Sequence, residues 1–78
     1  MTHKRWYEVQ ILNRYNMWQC YHVTKSPKVA KDHFKKLAFD HGYGVANTRI
    51  LRWDIDTDTT PPTIIHHTDI DKEKETYN

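Results

Sequence analysis

The chain has 78 residues, ten aromatic side chains, one cysteine and a formal net charge of +2 at pH 7. This length allows one small domain with little core, so we expect marginal stability or the burial of further surface against a partner. One cysteine excludes an intrachain disulfide and a cysteine-only zinc site, and no stretch has the apolar length of a membrane span. We expect a cytoplasmic protein that does not contact a membrane.

The charge is divided between the two parts of the chain. Residues 1–53 carry ten Lys or Arg against three acidic residues, a net charge of +7. Residues 54–78 carry seven acidic residues against two lysines, a net charge of −5. This asymmetry favours electrostatic binding, either of a polyanion or of the chain's own acidic segment. We expect a compact domain over 1–55 and an acidic tail over 56–78, partly disordered or folded back.

Two strands joined by a turn are predicted near the N-terminus. Residues 6–12 alternate in the manner of a half-buried strand, and the asparagines within 13–16 favour a turn before a second strand over 17–24. A four-residue loop would place Leu12 opposite Met17. The predicted core face of this hairpin holds Tyr7, Val9, Ile11, Trp18, Cys20 and His22. The other face is apolar for a surface left in water, and it holds Trp6, Glu8, Gln10, Leu12, Met17, Gln19, Tyr21 and Val23.

A helix is predicted to begin at Ser26-Pro27 and to end at Gly42, because these residues suit its two ends. Its apolar stripe should cover the core face and holds Ala30, Phe34, Leu37 and His41. A third strand is predicted over 44–55. The order β-β-α-β predicts an α+β fold, a three-stranded sheet with one helix on one face. The alternative is a short fourth strand from the tail, over 63–67.

The outer face of the helix is the first candidate site. Lys28, Lys31 and Lys35 surround Phe39 there. This set is either a solvated helix face or a contact surface, whose lysines would neutralise phosphates or carboxylates around an apolar anchor. A third interpretation is internal: Ile64 and Ile65 would cover the phenylalanine while acidic residues of the tail meet the lysines.

The second sheet face is the other candidate site. Trp6, Met17 and Tyr21 would be exposed there if one helix covers only the opposite face, and Arg14 and Tyr15 form a basic-aromatic turn tip nearby. Apolar patches of this kind mark interfaces. A homodimer, a protein partner, cover by the C-terminal tail, and stacked bases of RNA or single-stranded DNA all stay open.

The sequence indicates no catalytic residue, cofactor or metal site, so we do not expect an enzyme. His33 and His41 are two helical turns apart, too far to share one ion. Asp54, Asp56 and Asp58 alternate like the start of a calcium loop, but the required glycine and glutamate are missing. No phosphate-binding glycine loop is present.

Residues 6–15, followed by Trp18, Tyr21 and a lysine- and alanine-containing helix after Ser26, resemble small accessory proteins encoded by tailed bacteriophages. The resemblance covers residues 5–53. It implies a protein that acts without catalysis, by binding and blocking a host enzyme, a toxin or a defence complex. Neutralisation of a host protein or protein–nucleic-acid complex is therefore the leading hypothesis. The alternative is an RNA or single-stranded nucleic-acid-binding module that uses the basic helix face and exposed aromatic residues.

Overall fold

A computed structural model describes residues 5–54 and 61–73. The regular elements are β1 (Arg5–Leu12), β2 (Trp18–Thr24), α1 (Pro27–Lys35), β3 (Thr48–Asp54) and β4 (Thr63–Ile65). A π-helical turn, Lys36–Asp40, extends α1, and short 3-10 turns occur at Val45–Asn47 and Ile70–Lys72. The described strands form one antiparallel sheet in the order β2-β1-β3-β4. The α+β class is confirmed, but this sheet has four strands instead of three because β4 extends the edge of β3.

The helix begins and ends where its sequence predicts. The Ser26 side chain accepts a hydrogen bond from the Val29 backbone N–H at 3.3 Å, and Pro27 is the first helical residue. At the other end, Gly42 has φ of 76°, which favours glycine and turns the chain away from the helix. His41 is exposed and not part of the buried stripe. The π-helical turn has more residues per turn than an α-helix, so the residues after it lie at a different angle around the helix axis from the one predicted. This rotation moves His41 out of the predicted stripe.

The predicted register of the first hairpin is wrong by one residue. Leu12 lies opposite Trp18, not Met17, because the loop has five residues, 13–17. The side-chain oxygen of Asn13 accepts the backbone N–H groups of Tyr15 and Met17, so this asparagine closes the longer loop. A one-residue shift moves side chains to the opposite face. Trp18 therefore leaves the predicted core face.

A β-bulge in β2 shifts the pairing by a second residue, which returns the later residues of the strand to their predicted face. Gln10 pairs with Cys20, but Val9 pairs with His22, so Tyr21 is the extra residue. Tyr21 and His22 both lie beside His33 of α1, at ring-centroid distances of 6.4 and 3.9 Å. His22 is therefore on the helix side as predicted, whereas Tyr21 is on that side contrary to prediction.

The hydrophobic core lies between α1 and one face of the sheet. The described core residues are Tyr7, Val9, Ile11, Ala30, Phe34, Leu37, Ala38, Ile50 and Ile70. Ile70 is 2% exposed, although its charged sequence surroundings predict a disordered segment. Residues 55–60 and 74–78, which include two of the alternating aspartates and the end of the predicted tail, lie outside the described residues.

Candidate binding surface

The sheet face opposite α1, here called the open sheet face, carries all three tryptophans of the chain. Core residues such as Val9 and Ile50 point toward α1, so their neighbours in each strand point away from it. The residues of the open sheet face are Trp6, Glu8, Gln10, Leu12, Trp18, Cys20, Val23, Arg49, Leu51, Trp53 and Ile64. Trp53 is 39% exposed and Ile64 is 61% exposed. This face therefore presents aromatic and aliphatic side chains to its surroundings.

A chain of hydrogen bonds crosses the open sheet face and holds its polar residues in place. Glu8 Oε1 accepts from Trp53 Nε1 at 3.0 Å, and Glu8 Oε2 accepts from Gln10 Nε2 at 2.7 Å. Gln10 Oε1 in turn accepts from Arg49 Nε at 2.7 Å. The carboxylate thus has a donor on each oxygen, and the arginine is fixed by the glutamine.

Two cations lie over tryptophan rings of the same face. The guanidinium carbon of Arg49 is 4.1 Å from the ring centroid of Trp18, and Nζ of Lys25 is 4.8 Å from that of Trp6. Both distances are within the range of cation–π attraction. These contacts order two long basic side chains at opposite ends of the face.

Cys20 lies beside Glu8 on the open sheet face. Cys20 is exposed, but partial desolvation of its thiol, together with the hydrogen bond to the Glu8 carboxylate and the charge of that group, raises the pKa of Cys20. A raised pKa lowers the fraction of thiolate, which is the nucleophilic form. The arrangement therefore does not activate this cysteine.

On the helix side, a cluster of acidic and basic side chains lies at the edge of the core, beside Tyr7. Glu73 accepts hydrogen bonds from the Tyr7 hydroxyl at 3.1 Å and from Arg52 Nη1 at 3.0 Å. Arg5 Nε donates to Asp54 at 2.9 Å. Burial of the phenol and the charge of Glu73 raise the pKa of Tyr7 to about 12. The hydrogen bond to Glu73 likewise raises the pKa of Arg52.

The predicted lysine face on the helix is only partly engaged by the tail. Lys31 forms an ion pair with Asp71, as the internal interpretation expects. Lys28 and Lys35 line a shallow groove with Ile70 and are exposed. However, Phe39 is 60% exposed, so the described part of the tail, residues 61–73, does not cover it. Ile65 packs on the core and Ile64 belongs to the open sheet face, which corrects the predicted contact of both residues with Phe39.

The structure separates the other predicted site residues. Trp6 belongs to the open sheet face, and Met17 is exposed in the loop at its end. Tyr21 lies on the helix side beside His33. At the turn tip, the Arg14 guanidinium lies 5.1 Å from the centroid of the Tyr15 ring. Met17, Tyr21 and the turn tip therefore do not join Trp6 in one patch.

Three residues that define the open sheet face were missing from the predicted site: Trp18, Arg49 and Trp53. The signal for two of them is present in the alternation of the third strand, where Arg49 and Trp53 are two positions to either side of Leu51. Placing that strand beside the first, which is the central pairing of the sheet, brings them opposite Gln10 and Trp6.

Four of the described histidines, His22, His33, His66 and His67, form ring contacts. His22 and His33 stack, and burial with the neighbouring His22 and Lys36 charges lowers the pKa of His33. His67 stacks on Phe34 at a centroid distance of 5.3 Å. Within residues 5–54 and 61–73, no group of three or more His, Cys, Asp or Glu residues is placed to hold a metal ion.

No protein-family model matches this chain, and no curated protein or solved structure shows significant similarity to it. In the described parts of the chain, we find no helix with the length and apolar character needed to cross a membrane.

Proposed function

We propose that this protein is a small non-enzymatic binding protein that acts by direct protein contact through the open sheet face. The observation that carries the proposal is the gathering of Trp6, Trp18 and Trp53 on the sheet face opposite the helix. Tryptophan and arginine are enriched among the residues that contribute most to protein–protein affinity. Exposed apolar patches on small domains commonly mark such interfaces.

The resemblance of residues 5–53 to accessory proteins of tailed bacteriophages supports a more specific form of this proposal. In that form, the protein neutralises a host factor in the host cytoplasm: a defence complex, a toxin or a nucleic-acid-handling enzyme. Small size and ordered side chains on the open sheet face suit an inhibitor, because a pre-organised surface loses less conformational entropy on binding. A homodimer through the same face is the competing use of this surface.

A capture experiment tests the proposal. Immobilised wild-type protein is incubated with nuclease-treated bacterial lysate, beside the variants Trp53→Ala and Tyr43→Ala. These two aromatic residues are similarly exposed, at 39% and 41%, but Tyr43 lies outside the open sheet face. We expect the wild type and Tyr43→Ala to retain the same lysate protein, in the same amount per immobilised chain. Trp53→Ala should not retain it. Equal retention by all three proteins, or retention of none, would overturn the proposal.

The second candidate function is nucleic-acid binding by the lysine face. It is favoured by Lys28 and Lys35, which are exposed and have no ion pair within the described residues, and by the exposed Phe39. In this case Asp71 competes for Lys31, so Asp71→Asn should strengthen binding of a labelled RNA oligomer at low salt. The affinity should fall log-linearly as salt is added. No retention of RNA or single-stranded DNA at low salt would exclude this candidate.

A further inference from the structure

Arg49 differs from the arginines on the helix side of the sheet in having no acidic partner among the residues that the structure describes. Arg5 and Arg52 form ion pairs with Asp54 and Glu73. Within the described residues, Arg49 forms no ion pair, and its side chain donates one hydrogen bond, from Nε to Gln10. The charge of this guanidinium is therefore not neutralised by the parts of the chain that the structure describes.

The same guanidinium is held in a fixed position. Its Nε donates to Gln10 Oε1 at 2.7 Å, and its central carbon lies 4.1 Å from the centroid of the Trp18 ring. These contacts leave the two terminal amino groups for a ligand. Two parallel N–H donors match the two oxygens of a carboxylate, which makes arginine well suited to bidentate recognition. Because the side chain is already ordered, little rotamer entropy remains to be lost on binding.

We propose that Arg49 receives a carboxylate of the protein partner, so that the segment docked on the open sheet face is acidic. This inference rests on the proposed function. Charge complementarity supports it, because Lys25, like Arg49, has no ion pair within the described residues. Among the described residues of the face, Glu8 is the one acidic residue, and its carboxylate is held by hydrogen bonds from Trp53 and Gln10. The two cations outnumber this carboxylate, so the net charge offered to a partner by the described residues of the face is positive.

The apolar neighbours define the partner segment further. Leu12 is half-buried and adjacent to Gln10 and Trp18 on the face. Ile64, which pairs with the buried Leu51, is 61% exposed. A carboxylate bound at Arg49 would therefore have the partly exposed Leu12, Trp18 and Ile64 as its apolar surroundings. An acidic side chain between apolar side chains meets both requirements.

A nucleic acid fits this face less well. Arg49 and Lys25 already lie over the rings of Trp18 and Trp6, on which bases would otherwise stack. Rings already covered by a cation offer less surface for stacked bases, and this favours an acidic protein segment over a nucleic acid.

A nuclear magnetic resonance titration of the full chain tests the inference with a defined probe. The probe is a blocked peptide in which leucine alternates with glutamate, and its counterpart has glutamine in place of glutamate. We expect the glutamate peptide to shift the Arg49 Nε–H and Trp18 indole N–H signals. The affinity of the glutamine peptide should be lower by about tenfold or more. This comparison uses the wild-type protein, so it does not depend on the folding of a variant.

A pair of variants that lose the same charge completes the test. Arg49→Gln should weaken binding of the glutamate peptide by about tenfold or more, whereas Lys72→Gln, at an exposed position on the helix side, should leave it unchanged. Equal binding of both peptides would overturn the inference. The same conclusion would follow if a single-stranded thymidine oligomer shifted the Arg49 and Trp18 signals at lower concentration than the peptide.

The capture experiment separates this inference from the proposed function. A captured protein that is lost with Trp53→Ala but retained by Arg49→Gln would refute the acidic contact and leave the open sheet face as the binding surface. A captured protein retained by both variants would refute the proposed function itself.

Discussion

Replacing Ile70 with alanine should destabilise the protein strongly, although this residue lies in a charged segment near the C-terminus. Ile70 is 2% exposed, and the change removes three buried carbon atoms. At about 0.8 kcal/mol for each carbon, the lost transfer free energy is roughly 2.4 kcal/mol, and the residual cavity raises this to about 3 kcal/mol. A chain of this length has a free energy of unfolding of about 4 to 12 kcal/mol, so the loss is a large fraction of it.

The assay is urea denaturation followed by tryptophan fluorescence, with thermal unfolding as a second measurement. We expect the midpoint temperature of Ile70→Ala to fall by about 12 °C or more. Ile64→Ala is the matched control, because Ile64 is 61% exposed and its loss should cost less than about 1 kcal/mol. Equal losses of unfolding free energy for the two variants would refute the placement of Ile70 in the core.

Three further predictions concern titratable groups. The pKa of Tyr7, raised to about 12, means that its contribution to stability is present below about pH 10 and lost as the pH rises toward 12, so Tyr7→Phe should flatten the unfolding free energy over that interval. The lowered pKa of His33 has the opposite effect: its contribution to stability is present above about pH 6.5 and lost on acidification. Between about pH 7 and pH 5, the unfolding free energy of His33→Gln should therefore change less with pH than that of the wild type. An equal change in the two proteins would contradict this assignment. Cys20 should react with a disulfide reagent at about pH 8 more slowly than a free thiol, and Glu8→Gln should accelerate the reaction; equal rates would contradict the contact between these two side chains.

Local chemistry was sufficient to predict the helix and the first strand. Ser26 and Pro27 have a defined role at a helix start, and Gly42 has one at a helix end. The backbone conformation at these positions can therefore be predicted from the residue types alone. The alternation of Tyr7, Val9 and Ile11 likewise predicts a buried face, and all three are core residues. These features depend on neighbours within a few residues, which the sequence displays directly.

The pairing of β1 with β2 could not be derived in the same way. Asn13 supports a five-residue loop through two side-chain hydrogen bonds, and a four-residue loop with the same asparagines was an equally plausible turn. The bulge at Tyr21 then shifts the pairing again. Each shift moves side chains between faces, so Trp18 and Cys20 lie on the open sheet face and not on the predicted core face. The sequence therefore predicted only part of the open sheet face.

The burial of Ile70 also escaped prediction, because single apolar residues within charged segments have no periodic pattern. Its partners come from distant parts of the chain, and only the assembled sheet and helix create the space that it fills. The prediction of a tail acid beside a helix lysine succeeded for Lys31 and Asp71, since long-range charge attraction requires less detail than packing does.

The bond between Tyr7 and Glu73 has a consequence for synthesis of the protein. These residues are 66 positions apart, and β1, which holds Tyr7, is hydrogen-bonded to strands on both sides. A nascent chain emerging from the ribosome can form the first hairpin early, but it cannot complete the core until residues 70–73 have emerged. During that interval the tryptophans and the unfinished core are exposed together, and this is the stage at which chaperone binding or aggregation would compete with folding.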